Sequence, residues 1–133
     1  MQILLAIHSL VRWVIIVVAV IAIIKYALGW LQKQQFGGMD RGLAAGFSGL
    51  MDLQALLGIT YLVLDGLGGT GFPAYRIEHG ITMIIAVAVA HQPARWKNLA
   101  DELRYRNTLA AVVVSLVVVL IGITILLQAP PRG

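Results

Sequence analysis

The chain has 133 residues, of which 59% are hydrophobic and only 12% are charged, and its mean hydropathy is +0.87. A soluble domain is less apolar and has about 25% charged residues, so this composition indicates a protein of the lipid bilayer. The chain has no cysteine, which excludes disulfides, thiolate metal sites, cysteine-bound iron–sulfur clusters and thiol nucleophiles. The net charge of +4 comes from basic residues in short segments between apolar ones, so it does not indicate nucleic-acid binding.

Four apolar segments follow one another along the chain, at residues 3–30, 42–65, 74–93 and 106–128. Each is close to the roughly 20 residues with which a helix crosses about 30 Å of hydrocarbon. The first segment lacks the basic start of a secretory signal and has His8 and Arg12 where the apolar core of a signal would begin, so we expect it to be retained. The pattern predicts an all-α transmembrane four-helix bundle that forms a single integral membrane domain over residues 1–133.

The distribution of basic residues predicts the orientation of these helices. The connections on one side, at about 31–41 and 94–105, hold with their edges seven basic residues: Lys25, Lys33, Arg41, Arg95, Lys97, Arg104 and Arg106. The other side has three: Arg12, Arg76 and Arg132. Because Lys and Arg are enriched in cytoplasmic loops, we expect both connections in the cytoplasm and both termini outside.

Three histidines lie in the predicted spans, where ionisable residues are costly and mark candidate functional sites. His8 and His79 each lie about five residues into helices that run in the same direction, so we expect them at a similar depth, one or two turns below the outer surface. His91 is about 18 Å along the helix axis and about 120° around it from His79, so these two cannot bind one metal ion. Any shared site should therefore use His8 and His79.

Two imidazoles that face each other across an apolar slot form the ligand set of a six-coordinate b-type haem. Each histidine taken alone is equally well explained by a hydrogen bond between packed helices. Zinc is a further alternative, but it requires three or four protein ligands, and the acids that would have to complete such a set are Asp52, Asp65 and Glu78. The matched depth of His8 and His79 favours a shared ligand role for them.

The neighbouring side chains fit the haem hypothesis. Arg12 lies one turn from His8 on nearly the same face, and Arg76 lies near the outer end of the third segment. Either guanidinium is suited to a haem propionate, although Arg12 is as well explained by contact with lipid headgroups. Met83 lies one turn beyond His79, and we expect it to line the pocket.

His91 and Asp52 raise separate questions. His91 is either an interfacial residue beside Pro93 or a ligand of a second, inner haem, for which Met51 would lie about 10 Å too close to the midplane. Asp52 falls near the middle of the second segment, where an acid is costly unless it is protonated or paired. It belongs either to a proton path or quinone headgroup site, or to a hydrogen bond between helices.

Several short stretches resemble small bacterial four-helix membrane proteins described as cytochrome b-like: residues 7–13 (IHSLVRW), residues 53–58 (LQALLG), Glu78-His79 and Ala90-His91. The resemblance covers nearly the whole chain. It implies a b-type haem held between helices, electron transfer with a quinol or a partner redox protein, and a location in the bacterial inner membrane. It also implies His8, His79 and His91 as candidate haem ligands, with Arg12 as a supporting residue.

The sequence thus predicts a multi-pass membrane protein that binds one haem b, or two, and carries electrons within the bilayer, as a homo-oligomer or within a larger redox complex. His8 and His79 are the expected axial pair, which would leave the iron no open position for oxygen, so we expect neither an oxidase nor an oxygenase. Two other classes remain open. One is a copper or other metal-ion permease that uses His8, His79, Met83 and His91 as successive sites, and the other is a non-catalytic assembly subunit.

Overall fold

The computed structural model describes residues 2–128, and every regular element in this range is helical. The four long helices are α1 (Gln2–Leu31), α2 (Gly38–Asp65), α3 (Ala74–Ala90) and α4 (Asp101–Leu127). A π-helical turn, Gly66–Thr70, continues α2, and a 3₁₀ turn, Gln92–Trp96, follows α3. The predicted all-α class with four helices is confirmed.

The helices form an up-and-down bundle in which each helix packs mainly against two others. α1 packs against α2 and α4, and α3 packs against the same two helices. This order follows from the short connections, because a short connection makes each helix run back along the one before it. α1 and α3 therefore run in the same direction, and the early residues of both lie at the same end of the bundle.

Three helical units of the described chain are long and apolar enough to cross a membrane: α1, α4 and the unit Gly38–Thr70 formed by α2 and its π turn. α3 has 17 residues and ends at Ala90, although the apolar segment had predicted a helix to residue 93. Pro93 contributes to the difference, since proline has no amide hydrogen for the α-helical hydrogen bond to the residue four positions earlier, and the chain continues as the 3₁₀ turn Gln92–Trp96. Four spanning helices were expected. Three helical units have the length and hydropathy of a membrane span, and α3 is a shorter helix that packs between α2 and α4.

Small residues occupy the centre of the bundle and allow the helices to approach closely. Ala19 and Ala22 of α1 and Ala86 of α3 are 0% exposed. Ser115 of α4 is also buried, and its hydroxyl donates a hydrogen bond of 2.9 Å to the carbonyl oxygen of Ala86. Large aliphatic side chains of every long helix are instead exposed on the outside, which is the surface expected of a bundle surrounded by lipid.

A buried carboxylate ties three helices together where α1 ends and α4 begins. Asp40 of α2 accepts hydrogen bonds from the Lys25 ammonium at 2.8 Å, the Tyr105 hydroxyl at 2.6 Å and the Gly37 amide at 2.9 Å. The Tyr26 hydroxyl donates to the backbone carbonyl oxygen of Asp40 at 2.8 Å. We call Asp40, Lys25, Tyr26 and Tyr105 the Asp40 cluster, and it fixes this end of the bundle.

Candidate functional site

A cavity of about 350 Å³ lies between the four helices at the opposite end, where α1 begins. This volume falls within the roughly 300–1,000 Å³ that is typical of small-molecule sites. Most of the wall is aliphatic, as is usual for such sites. The polar or ionisable side chains in the wall are those of His8, Ser9, Arg12, Gln54, Tyr61, Tyr75, Arg76 and His79. We call this space the His8–His79 cavity.

The structure brings four of the five candidate site residues to this cavity. His8 of α1 and His79 of α3 line it together, with Arg12 and Met83 beside them. His91 does not reach it and lines a separate cavity at the other end of α3. The pairing of His8 with His79 and the separation of His91 are the arrangement that helix geometry predicts.

The His79 ring is oriented by the backbone of α4. Its Nδ1 atom lies 2.8 Å from the carbonyl oxygen of Gly122. Because a carbonyl can only accept, Nδ1 carries the hydrogen, and in the neutral ring the lone pair on Nε2 remains available. Histidines that bind metals usually donate their second ring N–H in this way, which fixes the tautomer and the orientation of the ring. A Cβ atom at position 122 would overlap the terminal methyl group of Met83, which would have to move aside.

The environment of His8 contains unsatisfied polar atoms. The side-chain amide nitrogen of Gln54 donates to the backbone carbonyl oxygen of His8 at 2.8 Å. The Nδ1 atom of His8 and the Oε1 atom of Gln54 are buried, and neither makes a hydrogen bond of good geometry within residues 2–128. The two side chains interact with each other, so a small adjustment would let an Nδ1–H group donate to Oε1 and satisfy both atoms. Gly58 faces the ring, and a Cβ atom there would lie 3.1 Å from Cε1 of His8.

The two arginines of the cavity have different contacts. Arg76 is buried, and its Nη1 atom lies 2.6 Å from the Asp65 carboxylate while Nη2 donates to the carbonyl oxygen of Leu62 at 3.3 Å. Arg12 holds its guanidinium carbon 5.5 Å from the centre of the Trp13 ring. Arg76 already belongs to an ion pair between α2 and α3. Of the two arginines expected near a haem propionate, the contacts therefore favour Arg12.

Asp52 and His91 form a pair between α2 and α3. The Nε2 atom of His91 lies 2.7 Å from the Asp52 carboxylate, and the two side chains are 47% and 52% exposed, respectively. Asp52 was expected to belong either to a proton path or quinone headgroup site, or to a hydrogen bond between helices. The contact with His91 corresponds to the second alternative. Met51 is buried and lines the His8–His79 cavity instead of approaching His91.

Three residues without a role in the sequence-based site help to build it: Gln54, Gly58 and Gly122. The role of Gly122 comes from contacts between helices, which no local sequence signal reveals. An amide within an apolar segment is unusual, and Gln54 and Gly58 both lie in the stretch of residues 53–58 that contributes to the resemblance, so the sequence did contain indications for them.

Within residues 2–128, no three of His, Asp and Glu come together in an arrangement that could hold a metal ion. A haem held by two histidines does not need such a cluster. Comparisons of the chain with protein-family models, with curated proteins and with solved structures found no match. The functional argument therefore rests on the chemistry of the cavity.

Proposed function

We propose that this chain is an integral membrane protein that binds haem b between His8 and His79 and carries electrons within the bilayer. The observation that supports the proposal most strongly is that both imidazoles line one cavity from helices that run in the same direction. The hydrogen bond from His79 Nδ1 to Gly122 leaves Nε2 available as a ligand atom. Haem iron takes histidine axial ligands, and helix bundles hold such cofactors between facing helices.

The other side chains of the cavity fit a flat, apolar ligand that carries anionic groups. Arg12 provides a guanidinium, the cation that pairs best with a propionate carboxylate. Gly58 lets the His8 ring pack closely against α2, and Met83 and Val87 contribute apolar wall. A bound haem would supply reversible one-electron chemistry at its iron. Two histidine ligands would occupy both axial positions, which favours electron transfer over reaction with oxygen.

We infer a four-span arrangement with both termini outside. The 17 residues of α3 extend about 25 Å, and the following turn Gln92–Trp96 brings the chain close to the roughly 30 Å of a hydrocarbon core. The basic residues at the Asp40 end of the bundle support a cytoplasmic location for that end. Arg132, which was counted on the outer side, lies outside the described residues. The resemblance to bacterial proteins supports a bacterial inner membrane.

The proposed electron donor is a quinol or a partner redox protein, as the sequence resemblance implies. The exposed apolar side chains on every long helix offer surfaces on which a second copy or a larger redox complex would pack.

A metal-ion permease is less well supported by the positions of the same residues. His8, His79 and Met83 share one cavity, but His91 lies in another. Val87 lies between His79 and His91 along α3 and offers no metal ligand. Ion conduction requires successive binding sites that are close enough for the ion to pass from one to the next. No such series of metal-binding side chains connects the His8–His79 cavity with the cavity at His91.

Reduced-minus-oxidised absorption spectra of the purified full chain test the proposal. The wild-type protein should contain haem, with a Soret band that shifts on reduction. His8→Ala and His79→Ala should each lower the haem content per protein at least tenfold, because each removes an axial ligand. His91→Ala is the matched control, since it removes an imidazole from the other end of α3, and it should retain the wild-type haem content.

The alternatives give different results in the same experiment. Wild-type protein without a Soret band and without extractable haem would contradict the proposal. Stoichiometric copper in haem-free protein would favour a permease. Haem that remains in both variants at the wild-type level would show that these histidines do not bind it. Circular dichroism of each variant checks that the loss of haem is not a loss of fold.

A further inference from the structure

A second cavity, of about 300 Å³, lies at the Asp40 end of the bundle, between α2, the end of α3, the 3₁₀ turn and the start of α4. Three cations line it, each from a different segment: Arg41 of α2, Lys97 after the 3₁₀ turn and Arg104 of α4. No Asp or Glu belongs to its wall. We call it the basic cavity. It does not share a lining residue with the His8–His79 cavity, and its wall also includes His91, whose Nε2 atom is paired with Asp52.

The three cations lack counter-ions in the described part of the chain. The ion pairs found there are Lys25–Asp40, Arg76–Asp65 and His91–Asp52, and none of them uses Arg41, Lys97 or Arg104. Among the acids near these cations in sequence, Asp40 belongs to its own cluster and Asp101 accepts a hydrogen bond from the Phe36 amide at 3.1 Å. Glu102 is exposed and belongs to none of the ion pairs named above.

Arg104 is the most informative of the three cations. Its guanidinium carbon lies 4.0 Å from the centre of the Phe36 ring, so the side chain is held in one place. Its Nε atom is buried and has no hydrogen-bond partner within residues 2–128. Arg104 also takes part in none of the ion pairs of the described residues, so an anion beside its guanidinium would supply the missing counter-charge. Arg41 and Lys97 are exposed and line the same cavity, so the three cations together could hold one anion between them.

The chemistry of the wall identifies the class of anion. Guanidinium and ammonium groups together are the usual partners of phosphate oxygens. The rest of the wall is mainly small and apolar, with Ala44, Ala45, Ala90 and Ala94 among its members, which suits the glycerol and the first part of an acyl chain. Basic pockets between membrane helices on the cytoplasmic side are known to bind anionic headgroups. We propose that the basic cavity binds the phosphate of an anionic phospholipid.

Native mass spectrometry of the full chain in detergent, titrated with phosphatidylglycerol, tests this proposal. The wild-type protein should bind one molecule of this lipid, and tenfold or more tightly than phosphatidylcholine, whose headgroup has no net charge. The triple variant Arg41→Gln/Lys97→Gln/Arg104→Gln should bind phosphatidylglycerol at least tenfold more weakly than wild type. Its matched control is Lys33→Gln/Arg95→Gln/Arg106→Gln, which removes the same charge from residues outside the cavity wall and should stay within twofold of wild type.

Equal weakening in both triple variants would show delocalised attraction to the whole basic end and would overturn the proposal. Displacement of the lipid by low millimolar inorganic phosphate would overturn the assignment to a lipid. The double variant Arg41→Gln/Lys97→Gln separates binding from folding, because both side chains are exposed and the contact of Arg104 with Phe36 is kept. It should bind phosphatidylglycerol at least threefold more weakly than wild type, and unchanged binding by this folded variant would also overturn the proposal.

Discussion

The glycines of α2 differ in how much space a Cβ atom would have if each were replaced by alanine. A Cβ atom at Gly42, Gly46 or Gly49 would meet nothing within 4 Å. A Cβ atom at Gly58 would lie 3.1 Å from Cε1 of His8, closer than ordinary van der Waals contact. Gly58 is therefore the glycine of this helix at which a methyl group would disturb the candidate site.

Gly58→Ala should lower the haem content of the purified protein by about twofold or more, because the His8 ring must shift by a few tenths of an ångström. Gly49→Ala is the control on the same helix, and it should keep its haem and gain roughly 0.5–1 kcal/mol of stability from the better helix propensity of alanine. Haem per protein from the absorption spectrum and the free energy of unfolding in detergent are the two measurements. Equal haem content in the two variants would contradict a close contact of Gly58 with the ligand site.

For single residues, the sequence predicted the relative positions of the histidines but not the groups that hydrogen-bond to the side chains of the site. The rise and rotation per residue of a helix are constant, so depth along the chain was enough to separate His91 from His79. The acceptor for His79 is the backbone carbonyl of Gly122, and every residue has a carbonyl, so nothing in the sequence singles out this one. The Asp65 partner of Arg76 likewise depends on how α2 packs against α3.

At the scale of elements, the Asp40 cluster is the connection that holds α1, α2 and α4 at one end. The Asp40 carboxylate is 3% exposed and accepts three hydrogen bonds, two of them from the side chains of Lys25 and Tyr105. A hydrogen bond to a charged group contributes roughly 1.5–3 kcal/mol. The loss of the charge should therefore weaken all three helix contacts together.

Asp40→Asn should lower the free energy of unfolding by about 2 kcal/mol, because the amide keeps the shape of the side chain but neither the charge nor all of the acceptors. Glu102→Gln removes the same charge from an exposed position in the first turn of α4 and should change stability by less than about 0.5 kcal/mol. Chemical unfolding in detergent micelles, followed by circular dichroism, measures both. If the two variants lost the same stability, the cluster would not be the connection described here.

The helix bounds show what hydropathy can and cannot predict. The helices that contain the apolar segments at 42–65 and 106–128 begin earlier than those segments, since α2 begins at Gly38 and α4 begins at Asp101. The additional first turns are polar and carry acids, which stabilise a helix N-terminus and leave no apolar signal. The opposite error occurs in α3, where the predicted segment runs to residue 93 but the α-helix ends at Ala90, before the sequence His91-Gln92-Pro93. Hydropathy identified where each helix is apolar, and polar chemistry set where each one ends.

At the scale of the whole molecule, the open question is whether α3 crosses the membrane. It has the antiparallel neighbours of a spanning helix, but it is shorter than the three helical units that meet the length expected of a span. The connections on its two sides, at about residue 68 and about residue 98, would face opposite compartments if α3 crosses and the same compartment if it does not.

Single cysteines decide this directly, because the chain has none of its own. Gly68→Cys should react with a membrane-impermeant maleimide in intact cells, whereas Gln34→Cys and Asn98→Cys should react only after permeabilisation. The reason is the excess of basic residues around positions 34 and 98, which favours the cytoplasm. The same labelling pattern for Gly68→Cys and Asn98→Cys would show that α3 does not cross, and the reverse pattern would show the opposite orientation.

The Asp40 cluster also has a consequence for how the protein matures. It closes one end of the bundle with the chain's own side chains, while the His8–His79 cavity lies between the helices at the other end. On the proposed function, the bundle can therefore form as a colourless apoprotein and receive its haem at that other end. The ratio of coloured to colourless protein in a cell would then report the supply of cofactor, independently of how much of the chain is made.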